Sequence, residues 1–314
     1  MRALQVVAEA GPDGVVLTDV AEPEAELIVG VKAAGVSFPD LLMTRGEYRV
    51  RQPLPFTLGW EAAGEVIRAP ADGPFAVGDR VMTLSFAAYA ERVAAIPEAT
   101  FAMPNGLSYA EGAALPLNYL TALAALDRRG GLRPGERVLV HGAAGGVGSA
   151  AIQIAKGLGA NVIACVSTPD KADVALGLGA DSIVFGDNFR EQLDRPVDLI
   201  VDPVGGGQRF KESLRSLAPE GRVVVVGFAS GQIPHVRVNR LLLRNIDVRG
   251  CNFGVLAADA TGREAITRRL HELVTAGTIS PLIGSVYPLE DVPAALIEIA
   301  ERRAVGKLVA TVGG

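Results

Sequence analysis

Eleven residues, Val138-Leu-Val-His-Gly-Ala-Ala-Gly-Gly-Val-Gly148, constrain the fold more than any other stretch of this chain. Val138–His141 is an apolar run of strand length, and Gly146–Leu158 carries a helical pattern. Between them lies Ala143-x-Gly145-x-x-Gly148, a dinucleotide-type fingerprint with alanine in the first glycine position. Glycines there let the backbone turn tightly and approach a phosphate. The helix that follows aims its free N–H groups and the positive end of its dipole at that phosphate. The motif is weak alone. It gains force here because it follows a strand, opens a helix and begins a βαβ unit.

The rhythm around it agrees. From about Tyr119 a helix-like Ala/Leu stretch ends at Gly130-Gly131, and strands then alternate with helices. Asn161–Val166, Ser182–Phe185, Val197–Asp202, Arg222–Gly227 and Ile246–Arg249 join Val138–His141 as strands, and Pro169–Leu178 is a second helix. Six such strands predict an α/β fold with a doubly wound parallel sheet. The first hundred or so residues differ. Short apolar or alternating runs at Arg2–Val7, Val15–Val20, Glu26–Ala34, Glu61–Ile67, Arg80–Thr83 and Ala90–Ala95 are punctuated by Gly and Pro, which predicts a barrel-like β domain. After Gly254 come a helix (Arg263–Ala276), a strand (Gly284–Pro288), a helix (Val292–Arg303) and a strand (Lys307–Val312). The expected division is a β domain over 1–118, a Rossmann domain over 119–254, and a return to the first domain over 255–314.

Composition removes several classes. A net charge of −5 lacks the basic footprint of nucleic-acid binding. No apolar run approaches the roughly 20 residues of a membrane span, and no leader pattern is read at the N-terminus. The two cysteines, Cys165 and Cys251, make neither a disulfide framework nor a four-cysteine zinc lobe. The expectation is a cytoplasmic protein.

The end of the second Rossmann strand bears on cofactor choice. An NAD enzyme usually carries Asp or Glu there to bond the ribose 2′-hydroxyl. This chain has Ser167, with Lys171 four residues on. A hydroxyl and an ammonium suit a 2′-phosphate, so NADP(H) is favoured. Two readings stay open: Lys171 as a solvated helix residue, and the nearby Asp170 as a partner for NAD.

Gly35-Val-Ser-Phe-Pro-Asp40, Arg45-Gly-Glu-Tyr48, Pro55-Phe-Thr-Leu-Gly-Trp-Glu61, Leu115-Pro-Leu-Asn-Tyr-Leu-Thr121, the fingerprint, Asp202-Pro-Val-Gly-Gly206 and Arg249-Gly-Cys-Asn-Phe-Gly254 occur in that order. With them the chain resembles the zinc-free quinone oxidoreductase branch of the medium-chain dehydrogenase/reductase superfamily over nearly its whole length. The resemblance implies a GroES-like barrel domain carrying an inserted Rossmann domain. It also implies that Ala144, Gly145, Gly146 and Val147 hold the pyrophosphate and that Ser167 and Lys171 face the 2′-phosphate. Gly227 and Phe228 would border the nicotinamide ribose, Asn252 and Phe253 would approach the nicotinamide, and Thr121 would sit near the cofactor. Ser37, Asp40 and Tyr48 are the implied catalytic candidates. Two departures from the family pattern stand out: Ser37 replaces its usual Asn, and Gly186 its frequent aromatic or His.

Zinc-dependent members of the superfamily place Cys, His and Cys where this chain has Ser37, Trp60 and a residue near Leu117. No metal is therefore expected, and His141 reads as structural. Without a Lewis acid, the acceptors that remain delocalise charge on hydride attack: quinones, enones and enoyl thioesters. Tyr48 either hydrogen-bonds the product oxyanion or only packs; Asp40 is either an active-site polar group or a turn cap after Pro39. The expected activity is NADPH-dependent hydride transfer to a quinone or other conjugated carbonyl. The alternatives are an enoyl or acryloyl thioester reductase and an NADPH-binding structural or sensing protein without turnover. Strand Ile246–Gly250 should form a sheet edge, which implies a homodimer that pairs it.

Overall fold

The computed structural model describes residues 1–313, apart from the side chain of Ala257. The chain divides into two compact units, Met1–Leu117 with Pro281–Gly314, and Asn118–Ser280.

The first unit is a GroES-like β domain. Its main sheet runs Ile283–Pro288, Lys307–Thr311, Ile28–Val36, Glu61–Arg68, Arg80–Leu84, Thr100–Ala102, with Arg92–Ala94 also paired to Ile28–Val36. The C-terminal strand Lys307–Thr311 lies antiparallel to Ile28–Val36, so the end of the chain is built into the N-terminal fold. A second sheet joins Val15–Asp19, Arg2–Val6 and Phe56–Thr57. Val29, Val31, Ala62, Val81, Leu308 and Ala310 of the main sheet are buried. Two short helices were not anticipated. Tyr109–Ala114 starts on a capping box, Ser108-x-x-Glu111, in which Glu111 Oε2 accepts from Ser108 N at 2.8 Å. Phe38–Thr44 follows Ser37 directly.

In the second unit we number the strands β1 (Arg137–His141), β2 (Asn161–Val166), β3 (Ser182–Phe185), β4 (Val197–Asp202), β5 (Leu217–Val225) and β6 (Asp247–Gly250). The helices that frame the site are α1 (Gly146–Gly157), α2 (Pro169–Gly177) and α3 (Gly207–Ser216). All six strands are parallel, in the order β3-β2-β1-β4-β5-β6. This is the doubly wound dinucleotide topology. Val138, Leu139, Val140, Val162, Ile163, Ala164, Leu199, Ile200 and Val201 are buried. Helices on both faces explain why the central strands read as unbroken apolar runs. β6 ends the sheet, as its sequence suggested.

The boundary at 255 moves. Helix Ala260–Thr275 stays with the second unit, which runs to Ser280. Leu273 and Thr278 approach Gly157 of α1, and Gln153 Oε1 accepts from Ser280 N at 2.7 Å. Those contacts hold the segment on the Rossmann unit. Among the described residues, no helix is long and apolar enough to cross a membrane.

Candidate functional site

The Rossmann fingerprint folds into a tight cradle. Gly142 takes φ +56°, so the left-handed residue of the turn precedes Ala143 rather than coinciding with it. Gly145 N donates to Gly142 O at 2.9 Å and closes the turn. Gly148 packs where no side chain fits: a Cβ there would overlap the Gly142 carbonyl oxygen and stand 2.7 Å from Ala143 Cα. Gly145 is the N-cap of α1 and brings no capping side chain. The first-turn N–H groups are left for a ligand or water, and Gly145, Gly146 and Val147 are half-buried around them. Ala144 is buried.

The other cofactor candidates stand at the carboxyl ends of neighbouring strands of the same sheet. Ser167 is exposed immediately after β2, and Lys171 is half-buried in the first turn of α2. Burial lowers the Lys171 pKa from its ordinary value. Asp170 is exposed beside it. After β4, Asp202 Oδ1 accepts from Val204 N at 2.9 Å and Gly205 N at 2.8 Å, which shapes the Pro203–Gly206 turn. Gly227 follows β5, and Phe228 is exposed. Phe228 lies against Gly205, where any Cβ would stand 3.0 Å from its ring. Asn252 and Phe253 follow β6, after Cys251 N donates to Val225 O at 2.9 Å. Thr121 is half-buried on the helix Pro116–Leu123. The sheet therefore brings Ala144–Val147, Ser167, Lys171, Gly227, Phe228, Asn252 and Phe253 to one edge, where open α/β sheets bind ligands.

His141 ends β1 but turns inward. Ser213 Oγ donates to Arg209 O at 3.0 Å and so accepts from His141 Nε2–H at 2.9 Å. Burial pushes the imidazole pKa down to about 4. A neutral, enclosed histidine locking α3 to β1 is structural, as its sequence context implied.

In the β unit, Ser37 with Asp40 and Tyr48 with Trp60 form two further pairs. Asp40 Oδ2 accepts from Ser37 Oγ at 2.5 Å, Ser37 N at 2.8 Å and Tyr89 Oη at 2.8 Å. Asp40 has no exposed surface, and burial raises its pKa to about 6 against those hydrogen bonds. It caps the helix Phe38–Thr44 and fixes Ser37. Tyr48 stands edge-on to Trp60 at 5.8 Å between ring centroids, and Trp60 edge-on to Phe86 at 5.4 Å. Arg49 lies 6.0 Å over the Tyr48 ring. Tyr48 also lines a small pocket with Glu9, Met43, Arg51, Gln52 and Phe56. Its hydroxyl makes no hydrogen bond among the described residues.

Glu61, which sequence reasoning did not single out, is fully buried. It pairs with Lys307, and its Oε2 accepts from Leu117 N at 2.7 Å. Among the described residues no group of three or more His, Cys, Asp or Glu is placed to hold a metal.

Two family descriptions match the chain: alcohol dehydrogenase GroES-like domain over residues 23–125, and zinc-binding dehydrogenase over residues 146–272. Quinone oxidoreductase-like protein 2 of Bos taurus is 37% identical over 297 residues, covering 90% of this chain and 84% of that protein. A mycobacterial protein solved in complex with NADPH superposes with a TM-score of 0.92 at 30% identity, covering 99% of this chain and 100% of that one. A quinone oxidoreductase of Pseudomonas syringae gives 0.90 at 31% identity, with 99% of both chains covered. The enoyl reductase CurK gives 0.89 at 26%, again with 99% of both.

Proposed function

The chain belongs to the quinone oxidoreductase branch of the medium-chain dehydrogenase/reductase superfamily, and on that footing we propose that it passes hydride from NADPH to a quinone or other conjugated carbonyl without zinc. The observation that carries the reading is the glycine cradle at the N-terminus of α1 together with Ser167 and Lys171 at the end of β2. The mycobacterial neighbour solved with NADPH supports it.

The residues fit a dinucleotide. Gly148 is close-packed so that the loop can present its N–H groups, and α1 has no side-chain cap to compete. Ala144, Gly145, Gly146 and Val147 would hold the diphosphate. Ser167 and Lys171 would hold the 2′-phosphate. Gly227, Phe228, Asn252, Phe253 and Thr121 would border the nicotinamide end. Bound there, the nicotinamide supplies a hydride at its C4. Zinc does not fit. Ser37, Trp60 and Leu117 offer no thiolate or imidazole, and the Ser37 hydroxyl is already committed to Asp40. Orientation then carries most of the catalysis. Tyr48, with an uncommitted hydroxyl, would hydrogen-bond the acceptor oxygen as charge collects on it. An enoyl thioester acceptor is the second reading, favoured by the likeness to CurK.

Cofactor choice is testable at one side chain. Lys171→Ala is expected to raise the NADPH Kd roughly tenfold or more, the cost of one charge-assisted contact, and to leave the NADH Kd nearly unchanged. Titration of both cofactors by nucleotide fluorescence checks it. Equal NADPH and NADH affinity in the parent protein would remove the NADP preference.

We also propose a homodimer built on β6. That strand is the sheet edge, Val248 is exposed on it, and Leu242 and Leu243 beside it are 78% and 77% exposed. An unpaired sheet edge invites pairing across a two-fold axis. Light scattering at micromolar concentration should give twice the chain mass; a monomer argues against it. We further propose a cytoplasmic location, in keeping with two cysteines that stay free thiols. Fractionation of the source cells tests it; recovery with an extracytoplasmic fraction refutes it.

A further inference from the structure

The N-terminus of α1 has a polar neighbour outside its own loop. Asn118, the first residue of the same unit, lies on the helix Pro116–Leu123 and is 6% exposed. Its carboxamide lies against Gly146, the first residue of α1. A Cβ on Gly146 would overlap Asn118 Nδ2 and stand 3.0 Å from Cγ and 3.3 Å from Oδ1. Gly146 is therefore glycine for a second reason besides backbone approach: it leaves room for this side chain.

Despite its burial, the carboxamide makes no hydrogen bond to any described residue. Neither of its polar atoms is among the fully enclosed groups that lack a partner. The amide end is thus open while the rest of the side chain is covered. Polar groups this buried are normally satisfied. What stands in front of it is the uncapped first turn of a twelve-residue helix, the positive end of the α1 dipole.

We propose that Asn118 is a cofactor-binding residue whose carboxamide N–H donates to the dinucleotide's diphosphate at the N-terminus of α1. This rests on the dinucleotide reading above and adds a side-chain donor to the backbone cradle. The donor is neutral and addresses a group common to NADPH and NADH. It contributes affinity without choosing between them, which leaves that choice to Ser167 and Lys171.

The test is titration of NADPH and NADH against the parent, Asn118→Ala and Asn118→Asp, with melting of each protein free of nucleotide. Asn118→Ala should weaken both cofactors by a similar factor, roughly tenfold. Asn118→Asp should weaken both by about a hundredfold or more, because an isosteric carboxylate then faces the diphosphate. The order decides the matter: a packing role makes Ala the worse variant, and a hydrogen bond to an anion makes Asp the worse. If the Asp protein melts far below the parent, Asn118→Ser, which keeps a donor, should retain more affinity than Ala. Parent-like affinity in Asn118→Asp, or a Ser variant as weak as Ala, would overturn the role of Asn118. Failure of the parent to bind either nucleotide would instead strike the dinucleotide reading itself.

Discussion

Gly148→Ala is expected to raise the NADPH Kd by about a hundredfold or more. The added methyl would overlap the Gly142 carbonyl oxygen and press on Ala143 Cα at 2.7 Å. Both obstacles are backbone, so neither can swing aside as a side chain would. The turn and the first turn of α1 must separate, and the N–H groups that converge on the diphosphate lose their common focus. Two charge-assisted hydrogen bonds at about 1.5–3 kcal/mol each account for the loss. Gly177→Ala is the control. It lies in the last turn of α2 with nothing within 4 Å of a new Cβ, so the substitution should leave binding unchanged and melting equal or slightly higher. Isothermal titration with melting curves reads both variants. Parent-like binding in Gly148→Ala would mean that the cradle does not hold the cofactor.

The largest stability effect is expected at Lys307. Its ammonium pairs with Glu61 inside the β unit, where the two side chains are 3% and 0% exposed. Gly35 makes room for the pair: a Cβ there would stand 2.6 Å from both Glu61 Oε1 and Lys307 Cε. Lys307→Met keeps the packing but leaves the Glu61 carboxylate with only the Leu117 N–H. Stranding a buried charge costs about 3–5 kcal/mol, whereas replacing both partners costs much less. Urea unfolding should therefore show a large loss for Lys307→Met and partial recovery for Glu61→Gln/Lys307→Met. A loss in the single variant below about 1 kcal/mol would place the pair among surface-like bridges. The bridge reaches from the C-terminal strand Lys307–Thr311 across Ile28–Val36 to the strand Glu61–Arg68, so the same variant also tests how firmly the chain end is tied down.

The Rossmann unit was largely legible because its information is local. Apolar runs punctuated by glycine or proline mark the strands, and a parallel sheet covered on both faces keeps those runs unbroken. The edge position of β6 followed from strand order alone. The fingerprint was legible as a motif but not in detail. The fingerprint has Ala143 in its first glycine position, while the positive φ falls on Gly142, where no residue type but glycine is comfortable. The helix Tyr109–Ala114 had a readable capping box that the strand-rich surroundings obscured. The helix Phe38–Thr44 was read as a turn because Pro39 opens it and it spans only seven residues.

What the sequence withheld is long-range. Glu61 and Lys307 are 246 residues apart, and nothing near either announces the other. Asn118 meets Gly146 only because one helix packs on the start of another. The helix Ala260–Thr275 showed an apolar stripe, but a stripe does not say which surface it covers. That ambiguity moved the boundary from 255 to 281. Asp40 could be an active-site group or a cap from sequence; the structure shows the cap, with Asp40 fully buried and bonded to Ser37.

The most direct test of the central claim is NADPH oxidation followed at 340 nm after exhaustive dialysis against a chelator, with a quinone, an enone and a saturated ketone as acceptors. The account predicts turnover of the quinone and the enone at rates that added zinc does not raise, and none of the saturated ketone. Tyr48→Phe should slow the enone, which forms a localised oxyanion, by about 10-fold or more and the quinone much less. Turnover of the saturated ketone that chelation abolishes and zinc restores would contradict the account.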